Sequence, residues 1–199
     1  GAPHRGHLYA YYSSHCPLDG THEGVDLAAC NPGYPEGSTG GFFGTWLRLS
    51  RFTVPDGQSV PDPASERVMI NIRLYNGSHR GGGMVFADDG TLWLTIGDQF
   101  RYQTAQDVVD TLEGGVLRLQ VDVTESGDGS WTCPVGSHEA LRAFGSPDPV
   151  SPPQLLGQPD EVSGLLYCIP DDNPWLSPTG AAFEEYATIG HRNPHRLAK

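Results

Sequence analysis

The sequence predicts an all-β fold, part of a β-propeller built from four-stranded antiparallel blades. Three observations carry this. Runs that alternate apolar and polar residues recur with loops between them, as half-buried strands do. No apolar period of 3.6 residues is sustained anywhere, which excludes a helical bundle. Glycine and proline are over-supplied: 26 Gly and 17 Pro make up about a fifth of the 199 residues, against roughly 12% in average usage.

The elements follow in order. His7–Ser13 is aromatic-rich and alternating, and Thr45–Val54 alternates over its whole length. Arg67–Leu74 does the same. Gly83–Ala87, the turn Asp88-Asp89-Gly90 and Thr91–Ile96 form a predicted hairpin, because an Asp-Gly turn between two apolar runs favours one. Val116–Val121 and the weaker Glu185–Ile189 complete the series, and Thr104–Leu112 gives a short, polar helical hint. Met84–Ala87, Thr91–Ile96, Val116–Val121 and Glu185–Ile189 make one four-stranded antiparallel unit. The three earlier strands are the second to fourth of the unit before it, and Arg192–Ala198 would begin a third. A propeller closes with about 4–8 such blades. Two alone leave long unpaired edges, so the expectation is a piece of a larger propeller whose other blades cover them. Residues 1–199 read as one partial propeller with insertions at about 14–44 and 124–170, the second a partly ordered surface excursion.

Charge narrows the function. Twelve basic residues stand against 24 acidic ones, a formal charge of −12, which excludes a nucleic-acid partner because phosphate binding needs a basic face. No apolar run approaches the roughly 20 residues of a membrane-spanning helix. Four cysteines, Cys16, Cys30, Cys133 and Cys168, sit in Gly/Pro-rich loops. Three pairings are open, and Cys16–Cys30 with Cys133–Cys168 would each staple one loop. A zinc site using His15 and His22 beside Cys16 has no CxxC or HExxH spacing behind it. Disulfides imply an extracellular or periplasmic protein. Asn76-Gly77-Ser78 is an N-glycosylation sequon, a site for a glycan at Asn76 if the chain passes through a eukaryotic secretory pathway.

Three stretches resemble the soluble glucose/sorbosone dehydrogenase family, six-bladed propellers that use pyrroloquinoline quinone (PQQ). They are Ser78-His79-Arg80-Gly81-Gly82-Gly83-Met84-Val85-Phe86 running on to Ile96-Gly97-Asp98-Gln99; Gly115-Val116-Leu117-Arg118-Leu119 with Ile169-Pro170-Asp171-Asp172-Asn173-Pro174-Trp175; and Gly190-His191-Arg192-Asn193-Pro194. The resemblance implies that His79 is the general base taking a proton from the sugar C1 hydroxyl while hydride passes to the quinone. It implies that Asp98 holds His79 and that Arg192 and Asn193 meet PQQ. Gln103, five residues beyond Asp98, is carried as a pocket-wall residue. The family's Ca²⁺ ligands and most of its PQQ contacts would lie beyond Lys199. Gly83 stands where a basic residue usually follows the paired glycines.

The chemistry is sound in itself. An imidazole is the natural base near neutrality, and a carboxylate on its far nitrogen fixes the tautomer. Arg192 could stabilise charge on a quinone oxygen. Blander readings accompany each residue: His79 as a turn residue, Asp98 as a turn cap, Asp171-Asp172 as a turn and not a calcium site, and Arg192 and Asn193 as structural. Two functions therefore stand at this point. One is a PQQ-dependent aldose or polyol dehydrogenase. The other is a non-catalytic extracellular propeller, a structural or interaction module such as the hedgehog-interacting proteins carry.

Overall fold

A computed structural model describes residues 6–15, 45–73, 78–109, 111–140 and 166–198. Strands β1 (His7–His15), β2 (Thr45–Thr53) and β3 (Arg67–Arg73) form a three-stranded antiparallel sheet in that order. A second sheet joins β4 (Met84–Phe86), β5 (Thr91–Ile96), β6 (Gly115–Gln120) and, after a long excursion, β11 (Tyr186–Ile189), all antiparallel neighbours. This is the four-stranded meander of one blade, preceded by most of another. The fold is an all-β partial propeller.

Within each sheet the alternation drives the packing. Leu92, Leu94 and Ile96 of β5 and Leu117 and Leu119 of β6 are buried, and Leu47, Leu49, Ile70 and Ile72 line the first sheet. Thr91 and Thr95 are buried on the opposite side of β5, so this strand is covered on both faces. One departure from strict alternation has a visible cause. The β2–β3 register shifts between Leu49 and Ser50, a bulge that lets the consecutive residues Met69 and Ile70 both reach the core.

The two sheets pack through aromatic and polar contacts. Tyr9 meets Phe86 edge-on at 5.5 Å, and its hydroxyl donates to the Val121 carbonyl at 3.4 Å. Burial pushes the Tyr9 phenol up to about 12. Arg51, 4% exposed, reaches Glu125 at 2.6 Å.

Several expectations change. The helical hint at Thr104–Leu112 becomes a 3-10 turn at Tyr102–Gln106. It stops because Asp107 turns extended and its carboxylate accepts from the Val109 N–H at 2.8 Å, a local bond that competes with helix. The described ends of the expected excursion, residues 124–140 and 166–170, carry short strands. Strands β7 (Thr124–Glu125) and β8 (Trp131–Thr132) form a small hairpin, and β9 (Ser137–His138) pairs with β10 (Ile169–Pro170). Cys133 and Cys168 are disulfide-bonded, with Cα atoms 5.8 Å apart. Arg192–Ala198 carries no strand. The proposed Cys16–Cys30 pair, the Asn76 sequon and most of the 14–44 insertion lie outside the described residues.

Candidate functional site

Three segments meet where β5 ends: the turn before β4, the loop after β5, and the segment after β11. Their junction is made by main chain. The Gly82 N–H donates to the Thr95 carbonyl, Gln99 N–H to the His79 carbonyl, and Asp98 N–H to the Arg192 carbonyl, at 3.1, 3.3 and 3.0 Å. Glycine makes such close approach feasible. A Cβ at position 97 would sit 2.0 Å from the His79 carbonyl oxygen, well inside any allowed contact. Gly83 has the same kind of reason: a Cβ there would come within 2.9 Å of the Arg196 Cα. A basic side chain at that position would meet the backbone of the Arg192–Ala198 segment.

This junction brings His79 and Asp98 together, 19 residues apart in sequence. The His79 Nδ1 lies 2.7 Å from Asp98 Oδ1, with the residues 6% and 1% exposed. A carboxylate can only accept, so the ring proton sits on Nδ1 and the neutral imidazole presents Nε2 as an acceptor. Among the described residues no hydrogen bond reaches Nε2. Asp98 Oδ1 also accepts from the Phe100 N–H at 3.0 Å, which gives the buried carboxylate a second donor.

The backbone here is unusual. His79, Gln99 and Phe100 adopt φ of +55°, +49° and +64°, a left-handed region that costs non-glycine residues of order 1–3 kcal/mol. A polar network beneath the loop holds it. Glu113, 1% exposed, accepts from the Gln99 side-chain amide at 2.9 Å and the Thr104 hydroxyl at 2.7 Å, and lies 3.5 Å from the Arg101 guanidinium. On the open side the Phe100 ring stacks on His79, centroids 3.7 Å apart and planes at 25°. Arg192 lies over the Phe100 and Tyr102 rings at 5.2 and 5.9 Å. The preceding sheet reaches the same place, where the Tyr11 hydroxyl donates to the Arg80 carbonyl at 3.0 Å. Burial raises that phenol's pKa.

Among the sequence-derived candidates, His79, Asp98 and Arg192 converge. Arg192 is exposed, and it shows no ion pair among the described residues. Asn193 stands beside it; its side-chain amide lies 3.0 Å from His195 Nε2, and its Oδ1 is buried without a partner among the described residues. Gln103 is exposed on the 3-10 turn and makes no hydrogen bond to the His79–Asp98 pair. Among the described residues no group of three or more His, Cys, Asp or Glu could hold a metal ion. Sequence reasoning missed Glu113 and Phe100. The available signal for Glu113 was a lone acid between Leu112 and two glycines, immediately before a strand.

Comparison with known proteins gives three findings. The family model described as Glucose / Sorbosone dehydrogenase matches residues 44–139. The Aldose sugar dehydrogenase YliI of Escherichia coli (strain K12) is 28% identical over 126 residues, covering 63% of this chain and 22% of that protein. The chain thus spans about a fifth of the length of this curated relative. Two solved structures titled as glucose dehydrogenase cover 94% of this chain and 34% of theirs, at 17% and 16% identity with TM-scores of 0.49 and 0.47.

Proposed function

We propose that the protein, whose residues 44–139 match the glucose/sorbosone dehydrogenase family model, is an extracytoplasmic, PQQ-dependent aldose or polyol dehydrogenase in which His79 is the general base. The single observation that carries this reading is the buried His79–Asp98 pair, whose Nε2 takes no hydrogen bond from the described residues. A substrate hydroxyl gives its proton to Nε2 while the adjacent carbon loses hydride. The growing imidazolium is stabilised by Asp98, whose two donors, His79 Nδ1 and the Phe100 N–H, keep its carboxylate oriented.

Two residues suit the cofactor. Arg192 offers an exposed guanidinium matched to carboxylate or quinone oxygens, and Asn193 offers a buried amide oxygen beside it, without a partner among the described residues. When bound, the quinone would supply the acceptor for the two-electron hydride. The Cys133–Cys168 disulfide supports an oxidising compartment.

His79→Ala in the intact protein is expected to lower the kcat of dye-linked aldose oxidation by roughly 10²–10⁴-fold, the usual worth of a positioned general base. Unchanged turnover would remove the base assignment. The second reading, a non-catalytic propeller, draws on the Phe100 ring lying against His79. It expects no saturable PQQ binding by the intact protein, and Ca²⁺-dependent binding would count against it.

A further inference from the structure

We propose that Phe100 and Tyr102 are positioning residues that hold the Arg192 guanidinium against their rings and keep its charge available to an anionic group bound beside His79. The proposal rests on the reading of Arg192 as a cofactor contact. The chain carries 24 acidic residues against 12 basic ones, and four of its arginines are met by carboxylates. Arg48, Arg51, Arg101 and Arg118 approach one at 3.8, 2.6, 3.5 and 2.6 Å. Arg192 is exposed and shows no such pair among the described residues. Its guanidinium lies instead over the Phe100 and Tyr102 rings, at 5.2 and 5.9 Å. Those rings meet each other edge-on at 6.2 Å with planes at 79°, so they form a corner that suits a planar cation.

The two kinds of holder leave the cation in different states. A carboxylate neutralises a guanidinium and occupies its N–H donors. An aromatic face attracts it through the ring quadrupole, so the formal charge stays uncancelled and the donors that fit a carboxylate or quinone oxygen stay free. The main chain around the cation is already fixed. The Asp98 N–H donates to the Arg192 carbonyl at 3.0 Å, and the Gly190 N–H to the Ala105 carbonyl. The long arginine side chain remains to be ordered, and ordering it on binding costs conformational entropy. Rings that confine it beforehand reduce that cost. Phe100 also stacks on His79 at 3.7 Å, so one ring ties the cation to the neighbourhood of the base. An aromatic residue at φ +64° is a strained choice where glycine would fit freely, which is consistent with a local requirement for the ring.

The test is the Kd of PQQ, titrated in the presence of Ca²⁺, for the intact protein as wild type, Tyr102→Leu, Phe100→Leu and Tyr102→Phe, each also combined with Arg192→Ala. Tyr102 is 60% exposed, so its replacement is expected to leave the fold in place. Each leucine is expected to raise Kd roughly two- to fivefold, the worth of one exposed cation–π contact. Tyr102→Phe restores a ring and is expected to restore the wild-type Kd. In the Arg192→Ala background the leucines should add nothing. An unchanged Kd overturns the proposal. A loss of the same size without Arg192 also overturns it, since the rings would then act on the ligand directly. A second readout needs no cofactor: the rate at which phenylglyoxal modifies Arg192 relative to the exposed Arg196, followed by peptide mass spectrometry. The leucine variants are expected to raise that ratio and Tyr102→Phe to leave it as in wild type. If wild type binds no PQQ but the ratio follows this pattern, the cofactor reading falls and the ring holder stands. An unchanged ratio overturns the holder whatever PQQ does.

Discussion

The two ends of the four-stranded blade are built by different means. At the end that carries His79 and Asp98, chain meets chain: main-chain hydrogen bonds link the loops around residues 79–83, 95–99, 114 and 190–192, and Gly97 leaves no room for even a methyl group. At the opposite end, side-chain bonds are added to main-chain pairing such as that of Gln120 with Cys168. Arg118 bridges Asp89 at 3.0 Å and Asp172 at 2.6 Å, and Cys133 is bonded to Cys168, which lies opposite Gln120. Backbone contacts that require glycine tolerate no substitution. Exposed ion pairs are individually worth about 0–1 kcal/mol and can be exchanged. The difference suits an end that must hold reacting groups within fractions of an ångström and an end that only closes loops.

The sharpest way to break this comparison is to add one methyl group at each end. Gly97→Ala drives a Cβ to 2.0 Å from the His79 carbonyl oxygen and is expected to cost about 4 kcal/mol or more, the exceptional range reserved for severe backbone or core conflict. Gly127→Ala, in the β7–β8 turn, meets nothing within 4 Å and should stay within about 0.5 kcal/mol. Denaturant midpoints of the two variants measure the contrast; equal losses would mean that the site end is no more constrained than a surface turn.

Removing the disulfide sharpens the same point from the other end. Cys133 and Cys168 are separated by 35 residues, and closing a loop of that size contributes about 3–4 kcal/mol in the chain-entropy model. Because that effect acts on the unfolded chain, the double Cys→Ser variant should unfold at lower denaturant while the His79 imidazole keeps its NMR shifts. A displaced His79 signal would show that the two ends are coupled.

Legibility from sequence follows the same division. Strands β2, β3, β5 and β6 were readable because apolar alternation over six or more residues is a local signal. The two-residue strands β7 to β10 were not, since so short a pairing leaves no period to detect. The bulge between Leu49 and Ser50 was hidden as well, because it is set by the partner strand. At the site, His79 and Asp98 were nameable only through the motif resemblance; nothing local says that a residue at 79 meets one at 98. Phe100 gave no warning. A lone aromatic in a polar loop carries no pattern, and its stack on His79 depends on three left-handed residues whose conformation the sequence disguises. Arg192 was expected at a cofactor, and its place over Phe100 and Tyr102 is a tertiary fact.

The smallest expected effect concerns the start of β11, where the blade buries a carboxylate with no cation beside it among the described residues. Glu185 is 1% exposed, and burial, reinforced by the charge of Glu184, pushes its pKa up from 4.5 to about 7, against the hydrogen bond that the Tyr167 hydroxyl donates at 2.8 Å. A raised acid binds its proton more tightly when folded. Between the unfolded value near 4.5 and the folded value near 7, the native state holds more protons than the unfolded one, so stability falls as pH rises through that window. The slope is at most about 1.4 kcal/mol per pH unit for one group. Glu185→Gln keeps the shape and an acceptor for Tyr167 but cannot ionise. Unfolding curves from pH 4 to 8 should therefore lose most of this decline in the variant, which gains on wild type above pH 7 and not below pH 4.5. A parallel pair of curves would mean that Glu185 ionises at its ordinary pKa and that the turn end tolerates a buried charge as readily as it tolerates exposed ones.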